Sequence, residues 1–178
     1  MDPGPNACDG VYKNFSAVSS LGYMLAKVGS TASVGDLINM FDTPTGQTVT
    51  ADRDLKVSTV KPWSKCAGAA SIKAYATSEI PKNSLTLTMP TGTTAFLFEL
   101  LPIADGTFAV NATYSDGTMT VLSPQSVTNG ETGGAKLFGA YASGTATIKT
   151  VNIVMGTSTN KGFYLGNMHI SNTVECIA

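Results

Sequence analysis

Trp63, in the run Lys61-Pro62-Trp63-Ser64-Lys65-Cys66, is the side chain best suited to hold a ligand, because an indole face in a loop can stack on the C–H groups of a sugar ring. Tyr75, Tyr141 and Tyr164, with Tyr12, are the aromatic residues that could join it. A lone tryptophan is also a common core residue, particularly beside a disulfide. Ligand contact and packing are therefore competing expectations for this set.

Other chemistry-bearing residues are sparse. Asp52-Arg53-Asp54, with Asp42 nearby in sequence, could supply carboxylates to a structural calcium ion, which takes several oxygen ligands and accepts loop carbonyls among them. The D-x-[DN]-x-[DN]-G loop is missing, so a solvated turn is the alternative, and no other cofactor is expected. His169 is the only histidine and cannot supply the two or three imidazoles of a typical catalytic zinc site. No G-x-S-x-G nucleophile motif accompanies it. Glu99 interrupts an otherwise apolar strand; buried and unpaired it would have the raised pKa of a general acid, but an edge position or pairing with Lys136 or Lys149 explains it as readily. No catalytic residue is assigned, and the chain reads as a non-enzyme. Cys8, Cys66 and Cys176 are too far apart for a CxxC motif. One disulfide and one thiol is the simplest oxidised state, with Cys8–Cys66 slightly favoured over Cys8–Cys176. Asn14-Phe15-Ser16 and Asn111-Ala112-Thr113 fit the glycosylation sequon, though Asn111 falls in mid-strand.

Charge narrows the range of partners. Of 178 residues 13% are charged, the net charge is −1, and lysine supplies all the cations except Arg53. Such a surface has no basic footprint for nucleic acid and no cluster of arginines to grip phosphates. No apolar run reaches the roughly 18 residues of a membrane-spanning helix. Met1-Asp2-Pro3-Gly4-Pro5 lacks the basic start and apolar middle of a signal peptide, and reads as a processed terminus behind an added start methionine. The weakly charged, hydroxyl-rich composition is common outside cells, so the expected setting is extracellular or the cell surface.

The elements that must position these residues are strands. Ser84-Leu85-Thr86-Leu87-Thr88-Met89 alternates apolar and hydroxyl side chains with the period of a half-buried strand. Ala95-Phe96-Leu97-Phe98-Glu99-Leu100-Leu101 is apolar on both faces, as a central strand is. Phe108, Val110, Ala112 and Tyr114 share a face, and Asp116-Gly117 predicts a two-residue left-handed turn that sets Tyr114 opposite Met119 and Ala112 opposite Val121. Further strands are predicted near 47–51, 55–60, 70–76, 135–142, 146–155, 162–170 and 173–177, with a bulge near Thr150, where the apolar parity switches. The stretch 34–41 is either a helical turn or a strand, and Val11 to Val28 either partly helical or a strand pair. The whole predicts one all-β domain over 1–178: an irregular segment 1–40, then a two-sheet antiparallel β-sandwich over 41–178, jelly-roll-like, with little helix.

The order Phe41-Asp42 to Gly46, Leu85-Thr86-Leu87, Gly92 to Ala95-Phe96-Leu97-Phe98, Ser115-Asp116-Gly117, Phe138-Gly139 and Gly162-Phe163-Tyr164-Leu165-Gly166-Asn167 resembles the β-sandwich of exported bacterial proteins that carry a PEP-CTERM sorting tail. It spans about 41–170, and the tail itself is absent. The resemblance implies an envelope or matrix setting linked with exopolysaccharide, and brings no catalytic residue. The expected function is therefore an adhesion or matrix module that binds polysaccharide. The alternative is a subunit that assembles with copies of itself, its termini completing a neighbour's sheet.

Overall fold

The computed structural model describes residues 25–60, 71–80, 82–127, 134–157 and 159–172. Within these residues the chain is all-β, in eleven strands with antiparallel pairing throughout and no helix. The strands are β1 (Ala26–Lys27), β2 (Leu37–Asp42), β3 (Thr48–Val60), β4 (Ile72–Thr77), β5 (Ser84–Thr88), β6 (Ala95–Pro102), β7 (Gly106–Tyr114), β8 (Met119–Val127), β9 (Lys136–Tyr141), β10 (Ile148–Gly156) and β11 (Phe163–Ser171). Both β1 and the start of β2 fall inside the segment expected to be irregular. Of the stretch 34–41, residues 37–41 are strand behind a turn at Val34-Gly35, whereas Cys8, Cys66, Cys176, Tyr12 and Trp63 lie outside the described residues, as does the predicted strand 173–177.

β3 is the element that makes a sandwich of these strands. Its first part pairs with β5 through Thr50↔Thr88 and Ala51↔Leu87, and its second part pairs with β4 from Leu55↔Thr77 to Val60↔Ile72. One sheet therefore runs β8-β7-β10-β5-β3 and the other β3-β4-β11-β6-β9, with β2 beside β3 and β1 beside β11. The two predicted strands 47–51 and 55–60 are one strand with a corner. Asp52-Arg53-Asp54 forms that corner: against β2 the register jumps from Ile38↔Leu55 to Met40↔Thr50, so β3 carries extra residues that bend it from one sheet into the next.

Alternation along each strand builds the core. Val49, Leu55 and Val57 of β3, Leu85 and Leu87 of β5, Val151, Ile153 and Met155 of β10, and Phe108, Val110 and Ala112 of β7 are buried together with Phe98, Phe138, Phe163 and Leu165 of the facing sheet. Phe108 closes the middle, meeting Phe138 edge-on at 6.0 Å and Phe163 edge-on at 5.2 Å between centroids. The bulge expected near Thr150 is present, the β10–β7 register shifting between Ile148 and Thr150.

The β7–β8 hairpin departs from the expected register. Thr113 faces Met119, Ala112 faces Thr120 and Asn111 faces Val121, one step away from the prediction. The turn is a three-residue Ser115-Asp116-Gly117 loop closed by Tyr114 N–H to Thr118 O at 2.9 Å. Gly117 alone in the loop has positive φ, at 83°, whereas the predicted turn needs positive φ at both central residues. The reason lies in Asp116, whose Oδ1 accepts from the Thr118 amide and hydroxyl at 2.9 and 2.6 Å and fastens the loop in its longer form. Met119 and Val121 consequently face solvent, at 59% and 64% exposure, while Leu122 enters the core.

Candidate functional site

The hairpin loop and the Ser143–Thr145 turn meet at one end of the sandwich, where β8 and β9, the last strands of the two sheets, approach each other. Between them lies a cleft of about 280 Å³, lined by Tyr114, Asp116, Thr118, Thr120, Tyr141 and Ser143 over an apolar floor of Leu122, Ala140 and Ala146. Its walls follow from the one-step register. That register turns Thr120 inward beside Tyr114, whose hydroxyl contacts Thr120 Oγ1 at 3.0 Å and donates to the Tyr141 carbonyl at 3.2 Å, tying the edges of the two sheets together. Asp116 stands at the mouth. The Thr118 hydroxyl and then the Thr118 amide hold its carboxyl below the usual aspartate range, so it is ionised well into acid. The site thus offers the half-buried ring of Tyr141, hydroxyls of Thr and Ser, and one carboxylate whose Oδ1 is engaged, with Tyr114 buried behind them.

Of the aromatic residues expected to bind a ligand, Trp63 and Tyr12 lie outside the described residues, and among the described ones only Tyr141 lines this cleft. Tyr75 is packed edge-on against Phe41 at 4.7 Å and is 5% exposed. Burial pushes its hydroxyl pKa up, against an opposing hydrogen bond from the Ser30 backbone. It forms part of the floor of a separate depression with Lys73, whose ammonium donates to the Ser30 and Ala32 carbonyls at 3.3 and 2.8 Å. Tyr164 lies on β11 opposite Leu101, whereas Tyr141 lies on β9 opposite Ala95. Six residues of β6 separate those positions, roughly 20 Å of strand. Packing therefore scatters the predicted aromatic set. Tyr114, Thr118 and Thr120 are the site residues that sequence reasoning missed; their signal was Asp116 next to Gly117, read with the wrong turn.

Of the three aspartates, Asp52 and Asp54 share the β3 corner and Asp42 ends β2. The Asp42 backbone is bridged to Gly29. Asp52, at the β3 corner, is paired with Arg53 at 3.0 Å and accepts from the Thr86 amide at 3.1 Å. Partial burial opposes ionisation there, but the Arg53 hydrogen bond, the Thr86 amide and the Arg53 charge outweigh it and lower the pKa. The Asp54 carbonyl accepts the Ser78 hydroxyl at 2.9 Å. Among the described residues no group of three or more His, Cys, Asp or Glu side chains could hold a metal ion. Glu99 is buried in the middle of β6 and accepts from Asn167 Nδ2 at 2.6 Å. His169 Nδ1 is 2.9 Å from the Asn167 carbonyl, and no helix among the described residues is long and apolar enough to cross a membrane.

No known sequence family matches the chain, and no curated protein matches it. Among solved structures, it is similar, at a TM-score of 0.46 and 12% identity over 89% of its length and 99% of the other chain, to the C-terminal family 22 carbohydrate binding module of Clostridium thermocellum Xyn10B, studied for the role of conserved amino acids of its cleft in ligand binding.

Proposed function

We propose that this protein is an extracellular, non-enzymatic module that binds carbohydrate in the cleft between β8 and β9. The observation that carries the reading is the convergence of Tyr114, Tyr141, Asp116, Thr118, Thr120 and Ser143 on one open depression. A sugar presents C–H faces and a rim of hydroxyls. The Tyr141 ring matches such a face, and threonine and serine hydroxyls both give and accept hydrogen bonds. Asp116 already engages Oδ1 with Thr118, so Oδ2 is the oxygen to receive a sugar hydroxyl, as a charge-assisted bond. The same set contains no nucleophile–base pair and no second carboxylate, which is why binding rather than hydrolysis is the reading. A matrix or adhesion role fits the low charge and the hydroxyl-rich composition. Self-assembly would proceed through the segment 1–40 or the last predicted strand; residues 1–24 and 173–178 lie outside the described residues, and β1 and β2 pair within the chain.

Native gels cast with neutral soluble polysaccharides, followed by calorimetry with the oligosaccharides of any that retard the protein, test the reading. Tyr141→Ala is expected to weaken binding by about tenfold or more, the loss of about 1.4 kcal/mol of contact. Binding should also persist in acid and fail only as pH falls through the depressed Asp116 value, because protonation removes the accepting charge. Retardation by none of the polysaccharides, or unchanged affinity in Tyr141→Ala, would sink the proposal.

A further inference from the structure

Glu99 is the only charged residue among the buried ones described, at 8% exposure, and the cleft makes no use of it. It sits on β6 between Leu97 and Leu101, a parity that points away from the core, since Phe96, Phe98 and Leu100 fill the space between the sheets. Leu97 faces His169 of β11, and His169 faces Lys27 of β1; residues directly opposite in an antiparallel pair share a face. Asn167 Nδ2 donates to Glu99 Oε2 at 2.6 Å, so the Asn167 side chain lies on this same outer face. Neighbouring strands thereby gather Lys27, Glu99, Asn167 and His169 in one place.

Asn167 is unusual in two respects. It lies in a bulge, β11 taking three steps from Gly166 to His169 where β6 takes two from Glu99 to Leu97. Its φ of +47° is the only positive value at a non-glycine among the described residues. Glycine takes that conformation without strain, so strain is accepted at the one residue whose carboxamide meets a buried carboxyl. Asn167 also lines the depression that holds Tyr75, together with Lys27 and Lys73. Lys73 Nζ is engaged by the Ser30 and Ala32 carbonyls, whereas Lys27 is exposed and stands diagonally across the β1–β11 pair from Asn167. Such diagonal neighbours are roughly 7–8 Å apart, within reach of a long side chain.

We propose that Lys27 and Asn167 join in an isopeptide bond that the protein forms by itself, with Glu99 as the proton carrier. The lone pair of Lys27 Nζ forms a bond to Asn167 Cγ, and the Cγ–Nδ2 bond breaks. The proton shed by Nζ passes through the Glu99 carboxyl to Nδ2, 2.6 Å away, which leaves as ammonia. Nothing is oxidised and no co-reactant is consumed. The bond fastens β1, a strand of two residues held to β11 through Ala26↔Ile170 and Lys27↔His169, and closes residues 27 to 167 into a covalent ring that takes in strands of both sheets. The inference goes beyond the carbohydrate reading and shares no residue with the cleft.

The test is the intact mass of the purified full chain after reduction of its cysteines, followed by tandem mass spectrometry of a protease digest. Wild type is expected about 17 Da below the mass of its sequence, the loss of one ammonia, and its digest to hold a branched peptide joining Lys27 to Asn167. Lys27→Arg keeps the charge but removes the attacking amine. Glu99→Gln keeps an acceptor for Nδ2 but removes the carboxyl that passes the proton. Both variants are expected at full mass. The proposal is overturned if wild type has its full mass, if the branched peptide runs through another lysine, or if the deficit persists in either variant. A deficit without a branched peptide, the mark of an asparagine imide, also overturns it. None of these measurements involves a sugar, so the cleft stands or falls separately.

Discussion

Thr77 shows how much one buried hydroxyl can hold. Its Oγ1 donates to the Lys82 carbonyl at 2.7 Å and accepts from the Phe163 amide at 3.1 Å, joining β4, the turn before β5 and the start of β11. Thr77→Val keeps the shape but leaves that amide and carbonyl without their partner, an expected loss of about 1–3 kcal/mol in urea unfolding. Gly162 completes the joint. Its φ is +85°, its amide donates to Asn83 Oδ1, and a Cβ there would fall onto Thr77 Oγ1 and press on Lys82. Gly162→Ala should therefore cost more than Thr77→Val, because it adds backbone strain to the same lost bonds. A cost below that of Thr77→Val would show that the joint yields easily.

At the scale of elements, the β7–β8 hairpin separates what the sequence makes legible from what it does not. Alternating apolar residues announce β5, β6, β7 and β10, because a half-buried strand must show period two. The parity switch at Ile148 likewise announces the β10 bulge. The turn was harder, since Asp-Gly serves both a two-residue and a three-residue loop, and the choice is made by the Asp116–Thr118 hydrogen bonds rather than by residue type. That single step decided which side chains of β8 line the cleft and which lie on the outer face. Tyr141 was legible as a candidate; its meeting with Tyr114 and Thr120 was not, because it joins the edges of two sheets far apart in sequence. The three-residue loop carries its own test. A Cβ on Gly117 would touch nothing, so Gly117→Ala should cost only the backbone term of positive φ, about 1–2 kcal/mol, and Gly117→Asn distinctly less. Equal costs would indicate a different loop.

For the whole molecule, the decisive feature is that β3 belongs to both sheets. A sandwich of two separate sheets can part along its core; here the hydrogen bonds of Thr50 and Ala51 to β5 and those of Leu55–Val60 to β4 lie on one continuous strand. Opening either sheet pulls on the other through the corner at Asp52-Arg53-Asp54. Amides on the two sides of that corner are expected to exchange hydrogen through one global opening, with the same free energy and denaturant dependence. A separate, cheaper opening for either half would refute this. Such coupling has a practical side wherever proteases are present. A protease cuts only what opens, and the rate of cutting follows the population of open forms. With no half-open sandwich between native and unfolded, the described body of the chain would present it with almost nothing to cut, and the lifetime of that body would follow its global stability.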